Sequence, residues 1–239
     1  MKRKVLIWLF YFILWQMFAM IVNQSVILPS FLDVLNRLVY ILSDVSFYNH
    51  LFITLFRVIL GTLSAFVLSF IFAILSYDFK LINQALKPLV LVSKTIPNIT
   101  YILLVLIWFS REMSVFFVTL LILFPVLYTQ ISTGLLGINP EHLEVLKLYP
   151  ETYFHRLTKV IIPLIRISLF EGLKGALSLG FKVGVMAEIL GQVQPGLGYL
   201  MHIARMNFET VDLFAYTAIM IMVVVLFEKS MDFIKNRNF

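Results

Sequence analysis

The sequence contains no cysteine, so it holds no disulfide framework, no thiol nucleophile and no cysteine-based zinc site. It is also poor in charge. Only 13% of its 239 residues are Asp, Glu, Lys or Arg, about half the share found in average soluble domains. A chain with so little polar surface cannot cover itself in water, which excludes an ordinary soluble enzyme. The four histidines (His50, His142, His155 and His202) are scattered. They form no His-Glu-x-x-His metal pattern and no pairing of nucleophile with base. A basic, aromatic-interleaved surface for nucleic acid is missing as well.

Apolar residues are what the sequence has instead. They make up 61% of the chain, with 23 Phe and 10 Met, and the mean hydropathy is +0.95. The class is an integral membrane protein. Six stretches, residues 5–22, 51–75, 86–109, 113–133, 161–190 and 211–228, approach or exceed the ~20 residues that cross ~30 Å of hydrocarbon. Helices are the only option at these lengths, because every backbone amide must be satisfied within the span. The expectation is an all-α membrane protein with about six transmembrane helices in one domain, residues 1–239. The first stretch is read as a retained span, since no small-x-small cleavage pattern follows it.

Orientation follows from the loops, because Lys and Arg accumulate at cytoplasmic ends. With the N-terminus inside, the inner segments hold Lys2, Arg3, Lys4, Lys80, Lys87, Lys147, Arg156, Lys159, Lys229, Lys235 and Arg237. The outer segments hold Arg37, Arg111 and Arg205. Both termini are therefore expected in the cytoplasm, and the net charge of +6 reads as membrane topology.

The inner connection, residues 134–160, is too long for a turn. Asn139-Pro140-Glu141 is a helix start: a capping Asn, Pro at the first helical position, then an acid favoured by the helix dipole. Leu143, Val145, Leu146 and Leu148 give an apolar face to a helix too short to span. Pro150 interrupts it, residues 151–160 resume as a second amphipathic helix, and Pro163 marks entry into the fifth span. Read from these residues alone, the pair either lies in the membrane interface or docks a cytoplasmic partner.

The spacing resembles the Glu-Ala-Ala loop of ATP-binding-cassette (ABC) importer permeases. In that family the pattern is Glu-Ala-Ala, three residues, Gly, nine residues, then Ile-x-Leu-Pro. Glu144 and Pro163 fall at the right separation, and Val160 and Ile162 are conservative replacements. Val145 and Leu146 stand in place of the alanines and Pro150 in place of the glycine, so the matching groove in a partner would be deeper or wider. The resemblance runs in order from Leu28 to Glu228. Leu28-Pro29-Ser30, Leu55-Phe56-Arg57-Val58 with Gly61, Ala187-Glu188-Ile189-Leu190-Gly191 and Gly196-Leu197-Gly198-Tyr199 are similar to motifs of the nitrate, sulfonate, taurine and thiamine-precursor permeases, binding-protein-dependent type I.

That resemblance implies a coupling surface for an ATPase at Glu141, Glu144, Val145, Leu146, Leu148, Pro150, Tyr153 and Arg156. It implies that the loop after the fifth span, with Gly196 and Gly198, helps to close an outer gate; Arg57 and Glu188 are candidates for the same gate, and Arg57 is placed to pair with Glu188 or Glu112 or to reach the headgroups. The implied partners are two ABC ATPase subunits, which bind the ATP and magnesium, a second identical permease copy, an extracellular or periplasmic solute-binding protein, and membrane lipid. This chain itself would carry no cofactor and no catalytic residue, and it would sit in the bacterial cell membrane.

The fifth span carries charge. Glu171, Lys174, Gly175, Ser178 and Lys182 fall within about a third of the helix circumference. An ionised side chain in mid-membrane costs about 2.5–3.5 kcal/mol on insertion scales, so the stripe should face a water-filled path or a partner helix. Lys174, Ser178 and Lys182 are candidates for the translocation path. Glu171 and Lys174 are spaced to pair with each other at i, i+3, and Glu188 is placed to anchor the outer gate or the loop behind it. Gly180 and Gly184 permit close helix approach, either within the subunit or between copies. Gly175, Gly180 and Lys182 do not make a phosphate loop, because the Lys comes late and no Ser or Thr follows it. Energy would have to come from another polypeptide. The functional expectation is a permease subunit of an ATP-driven importer, moving a nitrate-, sulfonate- or taurine-like anion or a thiamine-precursor pyrimidine. The alternative is an ATP-independent secondary transporter or channel.

Overall fold

The computed structural model describes residues 2–142 and 152–238, and these are helical nearly throughout. In chain order the elements are α1 (Lys2–Val22), α2 (Phe31–Ser43), α3 (Val45–Asp78), α4 (Lys80–Thr95), α5 (Asn98–Trp108) and α6 (Arg111–Leu136). A short α7 (Tyr153–Arg156) leads through a π turn (Leu157–Ile161) into α8 (Ile162–Gly191). α9 (Leu197–Met206) and α10 (Thr210–Asn238) follow. The six expected spans correspond to α1, α3, the α4–α5 pair, α6, α8 and α10. Three of them, Val45–Asp78, Arg111–Leu136 and Thr210–Arg237, are long and apolar enough to cross a bilayer on composition alone. α8 has the length, at 30 residues, but Arg166, Glu171, Lys174, Lys182 and Glu188 interrupt its apolar character.

The third span is not the continuous helix 86–109 that the hydropathy predicts. It breaks between α4 and α5, and the chain turns there by 102°. The cause is Pro97. A proline disfavours the α conformation in the residue before it, and Ile96 and Pro97 are both extended, with ψ of 128° and 137°. The entry to the fifth span also differs. Residues 153–161 do not form a separate amphipathic helix but run directly into α8. Pro163 has no N–H to give to Lys159, and the preceding turn widens so that the N–H of Ile162 reaches back five residues to the Leu157 carbonyl. Such widened turns accommodate irregularities in the ladder of helical hydrogen bonds.

The chain forms two compact units, Met1–Phe56 with Val185–Leu226, and Arg57–Gly184 with Phe227–Phe239. In the first, Ser30 caps α2: its Oγ accepts the Asp33 N–H at 3.1 Å and donates to Asp33 Oδ2 at 2.7 Å. Two bonds tie α1 to the entry of α2. Trp15 Nε1 donates to the Pro29 carbonyl at 3.1 Å, and Gln16 Oε1 accepts the Phe31 N–H at 3.0 Å. Asp44 then opens α3 by accepting the N–H and hydroxyl of Ser46, and these two bonds hold its carboxyl below the usual carboxylate range.

In the second unit α3, α6 and α8 meet at contacts that only small residues allow. A Cβ on Gly61 would lie 2.9 Å from the Phe116 carbonyl oxygen, and one on Gly180 would lie 2.6 Å from Thr62 Oγ1. Gly184 faces Val58 and Val115. The Gly180–Gly184 pair is thus occupied by helices of the same subunit. Leu123, which Gly180 approaches, is buried in one cluster with Leu127 and Ala176, and Ile131, Leu135, Ile161 and Ile165 are buried in another. Large apolar side chains such as Phe10, Ile21, Phe52, Ile107 and Leu226 remain exposed, as suits a surface solvated by lipid tails.

Candidate functional site: a polar ladder and a buried glutamate

Three side chains of the charged stripe on α8 meet three side chains of α10. Glu171 Oε1 accepts from Lys235 Nζ at 2.5 Å, Lys174 Nζ donates to Asp232 Oδ1 at 2.5 Å, and Ser178 Oγ donates to Glu228 Oε1 at 3.3 Å. The numbers rise by three and four on one helix and fall by three and four on the other, which is the register of two antiparallel helices in contact along one face. A partner helix therefore receives this part of the stripe. Glu171 and Lys174, spaced to pair with each other, each bond across to α10. Lys182 lies one helical turn beyond Ser178. Its side chain is exposed.

Glu188 is the largest buried acid among the described residues, fully enclosed at 0% exposure. Burying a carboxylate without partners is costly, and the local geometry supplies them. The chain leaves α8, turns at residues 192–196 and starts α9 at Leu197, so that the first N–H groups of α9 point back at residue 188. Gly198 N–H donates to Glu188 Oε2 at 2.9 Å, and Thr54 Oγ1 lies 2.8 Å from the same oxygen and 3.0 Å from Oε1. The Thr54 hydroxyl oxygen in turn accepts the Leu197 N–H at 2.8 Å. His50 Nδ1, one turn earlier on α3, accepts the Gly196 N–H at 3.1 Å. The carboxylate thus sits against the positive end of a helix.

Gly196 and Gly198 are required by closeness. A Cβ on Gly198 would lie 2.5 Å from the Val185 carbonyl oxygen and 2.9 Å from the Ile189 nitrogen. A Cβ on Gly196 would lie 2.6 Å from the Glu188 carboxylate. Of the four residues expected at an outer gate, the structure brings Glu188, Gly196 and Gly198 together and adds Thr54 and His50. Arg57 is half-buried on α3, three residues beyond Thr54.

A second polar tie lies in the same unit. Arg37 of α2 grips Asp212 of α10 with two parallel bonds, Nε to Oδ1 and Nη2 to Oδ2, both 2.7 Å. The guanidinium also stacks over the Tyr40 ring at 5.0 Å. The hydrogen bonds it donates to Asp212 raise the Arg37 pKa above its usual value, so the charge is permanent.

In the second unit, the expected coupling surface is described in part. Asn139 Oδ1 accepts the Glu141 N–H at 3.1 Å, the geometry of a capping Asn. Glu144, Val145, Leu146, Leu148 and Pro150 lie outside the described residues. Beyond them, Tyr153 and Arg156 form α7, and the Tyr153 hydroxyl donates to Asp78 Oδ2 at 2.5 Å. This bond fastens the start of α7 to the last residue of α3. The hydrogen bond, and then partial burial, push the Tyr153 pKa up. Among the described residues no group of three His, Asp or Glu side chains converges to hold a metal.

Sequence reasoning missed Thr54, His50, Asp78 and Asp212, each of which meets its partner from far along the chain. A signal did exist for Glu228, Asp232 and Lys235. Their spacing of four and three is the mirror of the spacing in Glu171, Lys174 and Ser178.

Comparison with known proteins agrees with this architecture. A chain of Methanocaldococcus jannaschii, provisionally named as an ABC transporter permease, is 30% identical over 79% of this chain and 72% of its own length. A formylaminopyrimidine transport permease of Halalkalibacterium halodurans is 26% identical over 89% of this chain and 85% of its own. A Bacillus subtilis chain, provisionally named as an aliphatic sulfonates transport permease, is 25% identical over 84% and 74%. The crystal structure of an amino acid ABC transporter with histidines superposes with a TM-score of 0.68, covering 80% of this chain and 92% of that one at 16% identity. Residues 58–237 match the family described as the binding-protein-dependent transport system inner membrane component. The chain belongs to that family: it is a membrane permease of the binding-protein-dependent ABC type, a transport subunit and not an enzyme.

Proposed function

We propose that the chain is the translocation subunit of an ATP-driven importer that receives a small solute from an external binding protein and releases it into the cytoplasm. Two copies would pack around a central path. Residues 141–159 of each would rest on one ATPase subunit, where ATP and magnesium are bound, and both termini would face the cytoplasm.

The single observation that carries this reading is the bond from Tyr153 to Asp78, together with the unbroken run from α7 through the π turn into α8. A segment needed only as a membrane-surface anchor would gain nothing from being fastened to one transmembrane helix and continuous with another. A handle that transmits force requires both. Movement imposed on the loop would reach α3 through Tyr153 and the α8–α10 ladder through α8. Alternation between two packed states is then a population shift driven by nucleotide.

The cargo follows from chemistry and from what related permeases carry. The relatives named above are permeases for a formylaminopyrimidine and for aliphatic sulfonates. Lys182, exposed on the same face of α8 as the ladder, would present a cation to a sulfonate-like anion in the path, and Glu188 would hold the outer gate. We rank small anions first and a pyrimidine second.

The test is reconstitution of the chain with its ATPase and its binding protein in vesicles. Uptake should collapse when ATP is withdrawn and persist when the proton gradient is dissipated. Uptake that follows the gradient instead would make the chain a secondary transporter. Deletion of residues 141–150 should abolish uptake and co-purification of the ATPase together.

A further inference from the structure

A cavity of about 340 Å³ opens between α3, α4 and α6, and it shares no lining residue with the ladder or the Glu188 cradle. Ala73, Val90, Leu91 and Leu135 form its apolar wall. Lys87 and Lys94 also line it. They are seven residues apart and so share one face of α4, and both are exposed. No Asp or Glu is among the lining residues.

Two hydroxyls make this cavity more than a gap in the packing. Ser76 Oγ on α3 and Ser132 Oγ on α6 both line it, and both are buried without a hydrogen-bond partner. Ser76 as a whole is only 5% exposed. Neighbouring hydroxyls on α6 satisfy themselves: Thr129 donates to the Pro125 carbonyl and Thr133 to the Thr129 carbonyl, each at 2.8 Å. A helical serine has the same local acceptor four residues back. Two serines on facing helices that leave it unused, beside two ammonium groups, are donors in search of an acceptor.

We infer that this cleft binds the phosphate of an anionic phospholipid, with the adjoining acyl carbons along the apolar wall. Lys87, Lys94 and the two serine hydroxyls supply charge and hydrogen bonds to the phosphodiester. Basic pockets between transmembrane helices are a recognised mode of headgroup binding. A free oxyanion shares the phosphate chemistry but would leave the apolar wall uncovered, which favours the lipid. That this leaflet is the cytoplasmic one rests on the orientation proposed above, whereas the binding itself does not.

The experiment uses the full chain, purified in detergent, so its outcome is independent of orientation, ATPase and cargo. Dioleoylphosphatidylglycerol, dioleoylphosphatidylcholine and inorganic phosphate are titrated separately, and thermal midpoint and bound-lipid stoichiometry by native mass spectrometry are read. Phosphatidylglycerol should bind about tenfold tighter than phosphatidylcholine, and phosphate alone should produce no shift. The variant Lys87→Gln/Lys94→Gln should lose the preference. The variant Ser76→Ala/Ser132→Ala keeps both lysines and packs without an unsatisfied hydroxyl, so it should fold as well as the wild type and still bind phosphatidylglycerol more weakly. Equal binding of the two lipids, or an unchanged preference in both variants, would overturn the proposal. A shift with phosphate alone, lost in the lysine variant, would overturn it in favour of a free oxyanion.

Discussion

Glu188 and Gly198, ten residues apart, are joined by a 2.9 Å hydrogen bond from the Gly198 backbone to the Glu188 carboxylate. That contact, with the bonds to Thr54 and His50, holds the passage from α8 into α9. The carboxylate takes the N-terminus of α9, Thr54 bridges from α3, and the glycines let the backbone come close enough. An acid that would be a liability in an apolar core thereby becomes the fastening of a loop. Its carboxylate is set against the N-terminal end of a helix.

The two glycines should respond differently to a methyl group. At Gly198 the added Cβ meets backbone atoms, the Val185 carbonyl oxygen and the Ile189 nitrogen, which cannot move without deforming α8. Gly198→Ala should cost about 1–3 kcal/mol, the range for overpacking a tight site. At Gly196 the same methyl meets the Glu188 carboxylate, a side-chain end that its hydrogen bonds restrain but that yields more readily than helix backbone. Gly196→Ala should therefore be milder in thermal midpoint. Equal losses for the two variants would show that Glu188 is as immovable as the backbone.

The α8–α10 ladder predicts pairwise coupling along the register. Removing Lys235 leaves Glu171 without its partner, so Lys235→Met and Glu171→Gln should each lower stability, and the double variant should lose less than their sum. A coupling of about 0.5–1 kcal/mol is appropriate, because both side chains are more than a third exposed and solvent weakens such pairs. The exchanged variant Glu171→Lys/Lys235→Glu should recover most of the loss. A coupling of zero between 171 and 235, measured by a double-mutant cycle in detergent, would remove the ladder from the list of forces that hold the helices together.

The sequence made the helices legible because hydropathy alone dictates them: α1, α3, α6 and α10 coincide with apolar runs. It made the polar stripe on α8 legible as something lipid could not solvate, since 3.6-residue periodicity places Glu171, Lys174 and Ser178 on one face. The partner was harder to see. Nothing local in α10 says that Glu228, Asp232 and Lys235 will meet that face, because the match appears only when two distant spacings are compared. Pro97 was visible inside the third span, but hydropathy does not register a bend, so the 102° turn was lost. Thr54 and His50 were invisible for a different reason. They act on backbone N–H groups of residues 196–197, and such donors carry no sequence signature.

Tyr153 offers a prediction with a pH axis. Its hydroxyl is the donor to Asp78, and that bond pushes its pKa above the usual value. A folded-state pKa raised in this way favours the protonated phenol. The stabilisation is fully present below pH about 10, the ordinary tyrosine value, and is lost as pH rises through the higher folded value. Stability of the wild type should therefore fall more steeply above pH 10 than that of Tyr153→Phe, which has no bond to lose. At neutral pH the variant should keep its fold while ATP hydrolysis by the assembled complex becomes less dependent on loaded binding protein. Parallel pH profiles for the two proteins would show that the bond contributes nothing.

Lys182 separates packing from transport most cleanly. Unlike Lys174 and Lys235 it is exposed, so folding gives it little to lose. Lys182→Met keeps the length of the side chain and removes the charge. Its thermal midpoint and assembly with the ATPase should stay close to the wild type, within about 0.5 kcal/mol as for surface substitutions. Uptake of an anionic cargo should fall, because the cation that offsets the cost of dehydrating an anion in the path is gone. Lys182→Arg restores the charge and should restore part of the uptake. A neutral pyrimidine would be carried by both variants alike, so the pair also discriminates between the two cargo classes. If Lys182→Met lowered stability while leaving uptake of an anion untouched, the side chain would belong to the packing of the helices and not to the path.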